Sequence, residues 1–281
     1  MIIYHTNDMH GRSAALEWLE DTAKAELASG RDLYFDSGDA LIGSNTVWKN
    51  YEPNLAKMAS LPCAAMAMGN REFNYQRRIL DKRAAQRSFP LLCANLADLR
   101  SDDPVEPDVM AKRTLPVIDY GGSLHDSPQW SALVRKRWIP GICLRNSAWS
   151  KEFSLVLLAA VPVQYPPGAF WEKIFGFRFF EACEILPRIA EYYALRAARI
   201  IVLSHLGIDK DEALAPHLPA GTWILGGHTH TTLAEPLEVG GVFIAQTGAF
   251  AHNIGILDYN ILEPRLSRYR LQSLNLSSVE G

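Results

Sequence analysis

The sequence has no excess of positive charge: 28 Lys and Arg stand against 31 Asp and Glu, a formal net charge of -3 over 281 residues. No basic stripe runs along it, so nucleic acid is not the expected partner. An anionic substrate would have to be held by local charge, such as metal ions, rather than by a long-range field. Long apolar runs are absent too. The longest, Leu155 to Val163, is broken by Pro162 and is too short to span a membrane. The opening residues, Met-Ile-Ile-Tyr-His-Thr-Asn-Asp, lack the charged and then apolar pattern of a secretory signal. Cysteine is sparse. Cys63, Cys93, Cys143 and Cys183 lie far apart with no CxxC pair, which reads as buried reduced thiols rather than disulfides or a zinc site. These absences set the expectation of a cytoplasmic protein without a membrane span. Repeats and low-complexity segments are also missing, and 48% apolar with 21% charged residues is ordinary for a globular chain able to bury its own core.

Strand-like and helical runs alternate. Ile2 to Thr6, Leu33 to Phe35, Phe89 to Cys93, Leu155 to Val161, Ile200 to Leu203 and Thr222 to Leu225 read as strands. Ala15, Leu16, Leu19, Ala23 and Leu27 recur at helical spacing before Gly30, and Asn54 to Leu61 and Arg77 to Arg87 read as helices. Glu181 to Ala198 reads as a helix interrupted by Pro187, and short strands dominate after Val242. The alternation predicts an α/β fold. The stretch of about 100–150, with Pro104, Pro107, Gly121, Gly122, Pro128 and Pro140, reads as an irregular surface insertion within a single domain spanning 1–281.

Five short motifs sit at the ends of these runs: Asp8-Met9-His10, Gly38-Asp39, Gly69-Asn70-Arg71-Glu72, Ser204-His205-Leu206-Gly207 and Gly226-Gly227-His228-Thr229-His230. A lone DxH or HxH is more often structural than ligating. Together, however, the motifs supply what two divalent ions ~3.5–4 Å apart require: a shared oxygen, for which Asp39 is the candidate, and further nitrogen or oxygen donors on each side. Loops at the carboxyl ends of strands can aim such side chains at one point.

The phrases HTNDMHGR, DSGD, GNREFN, ANL at Asn95, VLSHLG, GGHTHT and QTGAF resemble the calcineurin-like metallophosphoesterase superfamily, most of all the catalytic domain of 5'-nucleotidases. The resemblance implies a four-layer αββα sandwich, two β-sheets flanked by helices. It implies one metal held by Asp8, His10, Asp39 and His230, and another by Asp39, Asn70, His205 and His228. The imidazole and carboxylate mixture suits Mn, Fe or Zn better than Mg or Ca. The activity implied is hydrolysis of a small phosphorylated substrate by a metal-bridging hydroxide that attacks phosphorus in line. A phosphodiesterase of the same fold, or a metal-bound scaffold for a protein partner, is the alternative. Asn70 and Arg71 are the catalytic candidates, and Arg71 and His252 the substrate-binding ones. His5, His125 and His217 read as surface or packed side chains.

The chain differs from the family in two respects. The nucleoside-binding C-terminal domain of full-length 5'-nucleotidases is not expected here, so nucleotide specificity does not carry over. The usual Gly-Asn-His-Glu, with an Asp shortly after, is Gly-Asn-Arg-Glu with Asn74. UDP-diacylglucosamine hydrolases, with Gly-Asn-Arg-Asp, are similar here, and they split a diphosphate. Because Arg keeps its proton throughout the usable pH range, Arg71 would bind phosphate oxygens without acting as a general acid. The expectation is a preference for phosphoanhydrides or acidic leaving groups. The aromatic stretch from Phe170 to Phe180 reads as core, with an apolar substrate wall as the alternative, a part that Trp130, Trp138 and Trp149 could also play.

Overall fold

The computed structural model describes residues 1–101, 105–146, 148–149 and 151–274, so Pro104 lies outside the described residues. Two sheets carry the architecture. The first has the strand order β4 (Leu91–Leu92), β3 (Cys63–Ala67), β2 (Leu33–Asp36), β1 (Ile2–Thr6), β14 (Asn253–Asp258) and β15 (Arg268–Ser273). β1 to β4 run parallel, β14 is antiparallel to β1, and β15 is antiparallel to β14. The second has the order β6 (Val117–Tyr120), β7 (Gly141–Asn146), β8 (Ser154–Ala160), β10 (Ala198–Ser204), β11 (Trp223–Leu225), β13 (Val242–Ala245) and β12 (Leu237–Val239), with β8, β10, β11 and β13 parallel. A small antiparallel pair, β5 (Leu96–Asp98) and β9 (Phe177–Phe179), completes the set.

The continuous apolar reading of β8 and β10 follows from burial on both faces, as parallel strands under helices require. Alternate residues go opposite ways. Leu155, Leu157, Ile201 and Leu203 join Ile3, Tyr34 and Phe35 of the first sheet in one apolar cluster. Val156, Leu158, Ile200 and Val202 join Ile185, Leu186 and Ile189 of the helix Ala182–Ala194 in another. Helices Ala14–Thr22, Pro53–Ser60 and Arg77–Gln86 put Leu16, Leu19, Leu55, Met58 and Leu80 into the first cluster. The result is an α/β sandwich of two sheets with helices outside. Truncating one of these buried leucines to Ala would cost about 2–5 kcal/mol.

Several elements depart from the sequence reading. The stretch of about 100–150 is not irregular. It supplies β6 and β7, because β7 pairs with β8 and buries Ile142 and Leu144 completely, and tertiary pairing overrides the turn-like composition. Trp130 is buried there, its indole N–H donating to the Ser88 carbonyl at 2.8 Å, while Trp138 and Trp149 pack against the core edge. Pro187 lies inside the helix Ala182–Ala194, which continues through it. The carbonyl it cannot bond belongs to Cys183, which is exposed, so water can satisfy it. That exposure also corrects the thiol expectation: three cysteines are buried and Cys183 is not, and all four are free. Phe177, Phe179 and Phe180 are core, whereas Phe170 and Trp171 are exposed. No helix among the described residues is long and apolar enough to cross a membrane.

Candidate metal centre

The carboxyl ends of parallel strands in both sheets meet at one place. Asp8 follows β1, Asp39 follows β2, Asn70 follows β3, His205 follows β10, and His228 and His230 follow β11. The two sheets are tied together there. The Ser37 hydroxyl donates to the Leu225 carbonyl at 2.6 Å, and His205 Nδ1 donates to the Ser37 carbonyl at 2.7 Å. That second bond fixes the imidazole so that Nε2 points at the carboxylates, 3.3 Å from Asp39 Oδ1 and 3.9 Å from Asp8 Oδ1.

Asp8 Oδ1 also lies 3.8 Å from His10 Nε2 and 3.5 Å from His230 Nε2, and those two nitrogens are 2.9 Å apart. Asp8 Oδ2 is occupied, accepting the His228 amide at 2.8 Å and the Asn7 amide side chain at 2.8 Å. Two groups of three donors result, Asp8–His10–His230 and Asp8–Asp39–His205, each with its ligand atoms within 4.8 Å of one another. Asn70 Nδ2 sits 3.3 Å from His228 Nδ1 on the far side. Five of the seven residues expected as ligands fall in these two groups, while Asn70 and His228 pair with each other beside them, the His228 ring 5.2 Å from that of His205 between centroids. The oxygen common to both triads is Asp8 Oδ1, whereas Asp39 was the expected bridge.

These donors fit divalent cations. Asp8 Oδ1 and His205 Nε2 are buried yet have no hydrogen-bond partner, an expensive arrangement unless a cation satisfies both. Burial lowers the pKa of His10 and of His228, keeping them neutral as ligand nitrogens must be. Burial also works against charge on His205, but Asp39, Asp8 and Glu72 outweigh it and push its pKa up; the same negative field favours a metal ion. Asp39 is correspondingly held low, the pull of His205 overcoming burial.

The backbone is strained at the same place. Asp8, His10, Asp39, His228 and His230 all have left-handed φ, between 49° and 79°. Such a conformation costs about 1–2 kcal/mol per residue with a side chain and clusters at functional sites. The neighbouring glycines make room: a Cβ on Gly69 would lie 2.5 Å from both the amide nitrogen and Oδ1 of Asp39.

Glu72 was not singled out from sequence. It is 3% exposed, and its carboxylate accepts the amides of Asp39 (2.7 Å), Gly69 (3.0 Å) and Leu41 (3.3 Å), which sets the Asp39 loop. Burial, with Asp39 adding, raises its pKa. Gln164 was also missed; its Nε2 donates to Asn70 Oδ1 at 3.2 Å. Its only signal was its place just past the apolar run that becomes β8.

Arg71 donates from Nη1 to the Ile42 carbonyl at 3.0 Å, and its Nε lies 3.8 Å from Asp39 Oδ2. Asn74 does not orient it: its amide donates to the Ser44 carbonyl at 3.0 Å and its Oδ1 accepts the Gln76 amide at 2.9 Å. His252 is exposed and one ring removed from the ligands. It meets Phe250 at 6.1 Å between centroids, and Phe250 meets His10 at 5.3 Å and His230 at 5.6 Å. Asn95 lies apart from the cluster, its side chain bonding the Val161 and Phe180 backbone. His5 and His125 are packed, and His217 is exposed in a short 3-10 turn.

Comparison with known proteins identifies the family. The calcineurin-like phosphoesterase profile matches residues 1–232. A 5'-nucleotidase of Vibrio vulnificus is 31% identical over 98% of this chain and 52% of its own length. The uncharacterized metallophosphoesterase YunD of Bacillus subtilis is 24% identical over 92% of this chain and 50% of its own. The chain thus spans about half the length of these curated relatives. The crystal structure of a 5'-nucleotidase precursor from Thermus thermophilus superposes with a TM-score of 0.65 at 19% identity, covering 98% of this chain and 54% of that one. By its profile match, its fold and its converging ligand loops, this chain belongs to the calcineurin-like phosphoesterase family.

Proposed function

We propose that the chain hydrolyses a small phosphorylated compound with two divalent cations, Mn, Fe or Zn. The observation that carries the reading is the buried pair Asp8 Oδ1 and His205 Nε2, without hydrogen-bond partners, within the two donor groups Asp8–His10–His230 and Asp8–Asp39–His205. Asp8, His10, Asp39 and His230 would hold one ion, and Asp39, Asn70, His205 and His228 the other. When bound, two such ions polarise a phosphoryl group and lower the pKa of water toward neutrality. The chain does the rest. Asn70 and the histidines orient, the Glu72 carboxylate sets the Asp39 loop, and Arg71 presents a fixed positive charge. Asp39, whose Oδ2 lies 3.8 Å from Arg71 Nε, would be shared by both ions.

Arg71 sits where the family places a His that can release a proton. A guanidinium cannot release one, so the site supplies no general acid at this position. General acid help is worth ~10²–10⁴-fold and matters most for a poor leaving group. A phosphate leaving group, with its second pKa near ~6, needs little. This supports phosphoanhydrides or esters of acidic alcohols as substrates. The 5'-nucleotidase names of relatives support a nucleotide-like carrier.

The test is phosphate release from a nucleoside monophosphate, a nucleoside diphosphate-linked compound and an aryl diester, with Mn, Zn or Fe added. The expected result is metal-dependent turnover with kcat/KM highest for the diphosphate-linked compound. A preference for the monophosphate would overturn the Arg71 argument, and no turnover of any would overturn the hydrolase reading.

A further inference from the structure

Two large apolar side chains stand exposed beside this polar cluster, Phe250 at 42% and Ile42 at 41%. A single exposed apolar residue needs no account, but Phe250 stands against two ligands and Ile42 against the residue after one of them. Phe250 lies against His10, ring centroids 5.3 Å apart, and against His230 at 5.6 Å. Ile42 covers the next residue, Gly11, so closely that a Cβ there would come 2.3 Å from Ile42 Cγ1. The carbonyl of Ile42 is the one that receives Arg71 Nη1.

Phe250 is held in place at a conformational cost. It and Ala251 both have left-handed φ, 57° and 56°, a conformation costly for a residue with a side chain. Its amide donates to the Asp8 carbonyl at 2.8 Å, and the preceding turn is pinned by Asn7, whose side chain donates to the Gly248 carbonyl at 2.7 Å and accepts the Thr247 amide at 2.9 Å. The ring is thus positioned by the same loop that carries Asp8, before any ligand arrives. A strained backbone that leaves an aromatic face partly in water, next to charge, is hard to account for by packing alone. The imidazole of His252 adds a second ring on the outer side, 6.1 Å from Phe250.

Resting on the hydrolase reading above, we propose that Phe250, extended by His252, is a subsite for a planar aromatic leaving group on the phosphoryl unit that Arg71 and the metals bind, with Ile42 over Gly11 as a further apolar surface. A flat ring stacks on Phe250 at little entropic expense, because that side chain is already fixed. Arg71 beside Ile42 supplies the anionic handle. A guanidinium beside an apolar side chain, with an aromatic face on the metal ligands, matches a phosphate joined to an aryl group, whose phenolic oxygen is an acidic leaving group.

The experiment compares phenylphosphonate with methylphosphonate, neither of which can be hydrolysed. Their dissociation constants are measured by titration calorimetry on the manganese-loaded full chain, in wild type, Phe250→Leu and Phe250→Trp. The leucine keeps apolar volume and removes the ring, and metal content of each variant is verified first. Wild type is expected to bind the phenyl compound roughly three- to tenfold more tightly, the range that aromatic pairing provides. Phe250→Leu should bring that ratio close to one, and Phe250→Trp should retain it. An unchanged ratio in Phe250→Leu, or no preference in wild type, overturns the subsite. Failure of the hydrolase reading would show separately, as absence of phosphate release from every ester and anhydride offered.

Discussion

His5 provides a test of the fold that is independent of the metal chemistry. It lies in β1, opposite Phe35 on β2 and Gly255 on β14, and is completely buried. Neither ring nitrogen has a well-formed hydrogen bond, and a backbone contact with Gly226 offsets only part of the burial. Burial therefore drives its pKa from the ordinary 6.5 down to about 3. The sign follows directly. Above 6.5 both folded and unfolded chains carry a neutral imidazole, and His5 adds no pH dependence. Below 6.5 the unfolded chain takes up a proton that the folded chain refuses, so stability falls as pH falls, until the folded value is reached. At pH 5 the loss relative to pH 8 is about 2 kcal/mol, at 1.36 kcal/mol per pKa unit. Because pH 5 lies well above the folded value, this figure depends almost only on the unfolded pKa. The assay is urea unfolding of chelator-treated protein at pH 8 and pH 5, for wild type and His5→Phe. Wild type should lose about 2 kcal/mol more than the variant between the two pH values, since other titrating groups are common to both. Parallel losses would refute the reasoning, and would mean that the β1 imidazole is protonated or hydrated in the native state.

Asp39→Ala should lower metal content at both positions and abolish turnover, whereas His230→Ala should deplete mainly one position; elemental analysis reads both, and full occupancy in Asp39→Ala would exclude the proposed bridge. Glu72→Gln replaces an acceptor of three backbone amides by a group with one oxygen, and should weaken metal affinity by about 10–100-fold, as loss of an outer partner usually does; metal titration checks this, and unchanged affinity would show that the Asp39 loop holds itself. One thiol, Cys183, should react rapidly with a thiol reagent in native protein, and all four after denaturation; fast reaction of more than one in the native state would contradict the burial of Cys63, Cys93 and Cys143.

Most of the core strands were legible because they are apolar runs buried on both faces, as in β8 and β10. What escaped was held by tertiary context. β3 reads Cys-Ala-Ala-Met-Ala, poor in the branched residues that favour strands, yet all five residues are buried between β2 and β4. β7 and the edge strand β6 lie in a Pro- and Gly-rich stretch, recognisable only once β8 is there for β7 to pair with. The helix expected to reach Ala198 stops at Ala194, because Ala198 is already the first residue of β10 and Ala197 makes the left-handed turn between them.

The candidate ligands were legible for a different reason: metal donors are few in kind, and here they fall in short motifs at the ends of strand-like runs. The strain that holds them was not legible, since nothing in the letters Asp-Met-His or His-Thr-His announces a left-handed backbone. Five such residues at about 1 kcal/mol or more each amount to a sizeable share of a domain's net stability, usually ~5–15 kcal/mol. That strain persists because the surroundings over-determine it. Asp8 is held between the Gly38 carbonyl and the Phe250 amide, Asp39 by Glu72, and His228 by Asp8 itself. Bonds like these cross from one ligand loop to the next, and three of them, Phe250 to Asp8, His10 to Asp39 and His228 to Asp8, join two strained residues. Such a set of constraints gives the site one arrangement rather than several. It also predisposes the carboxylates to stay close together against their mutual repulsion, which is the condition for binding two cations at once.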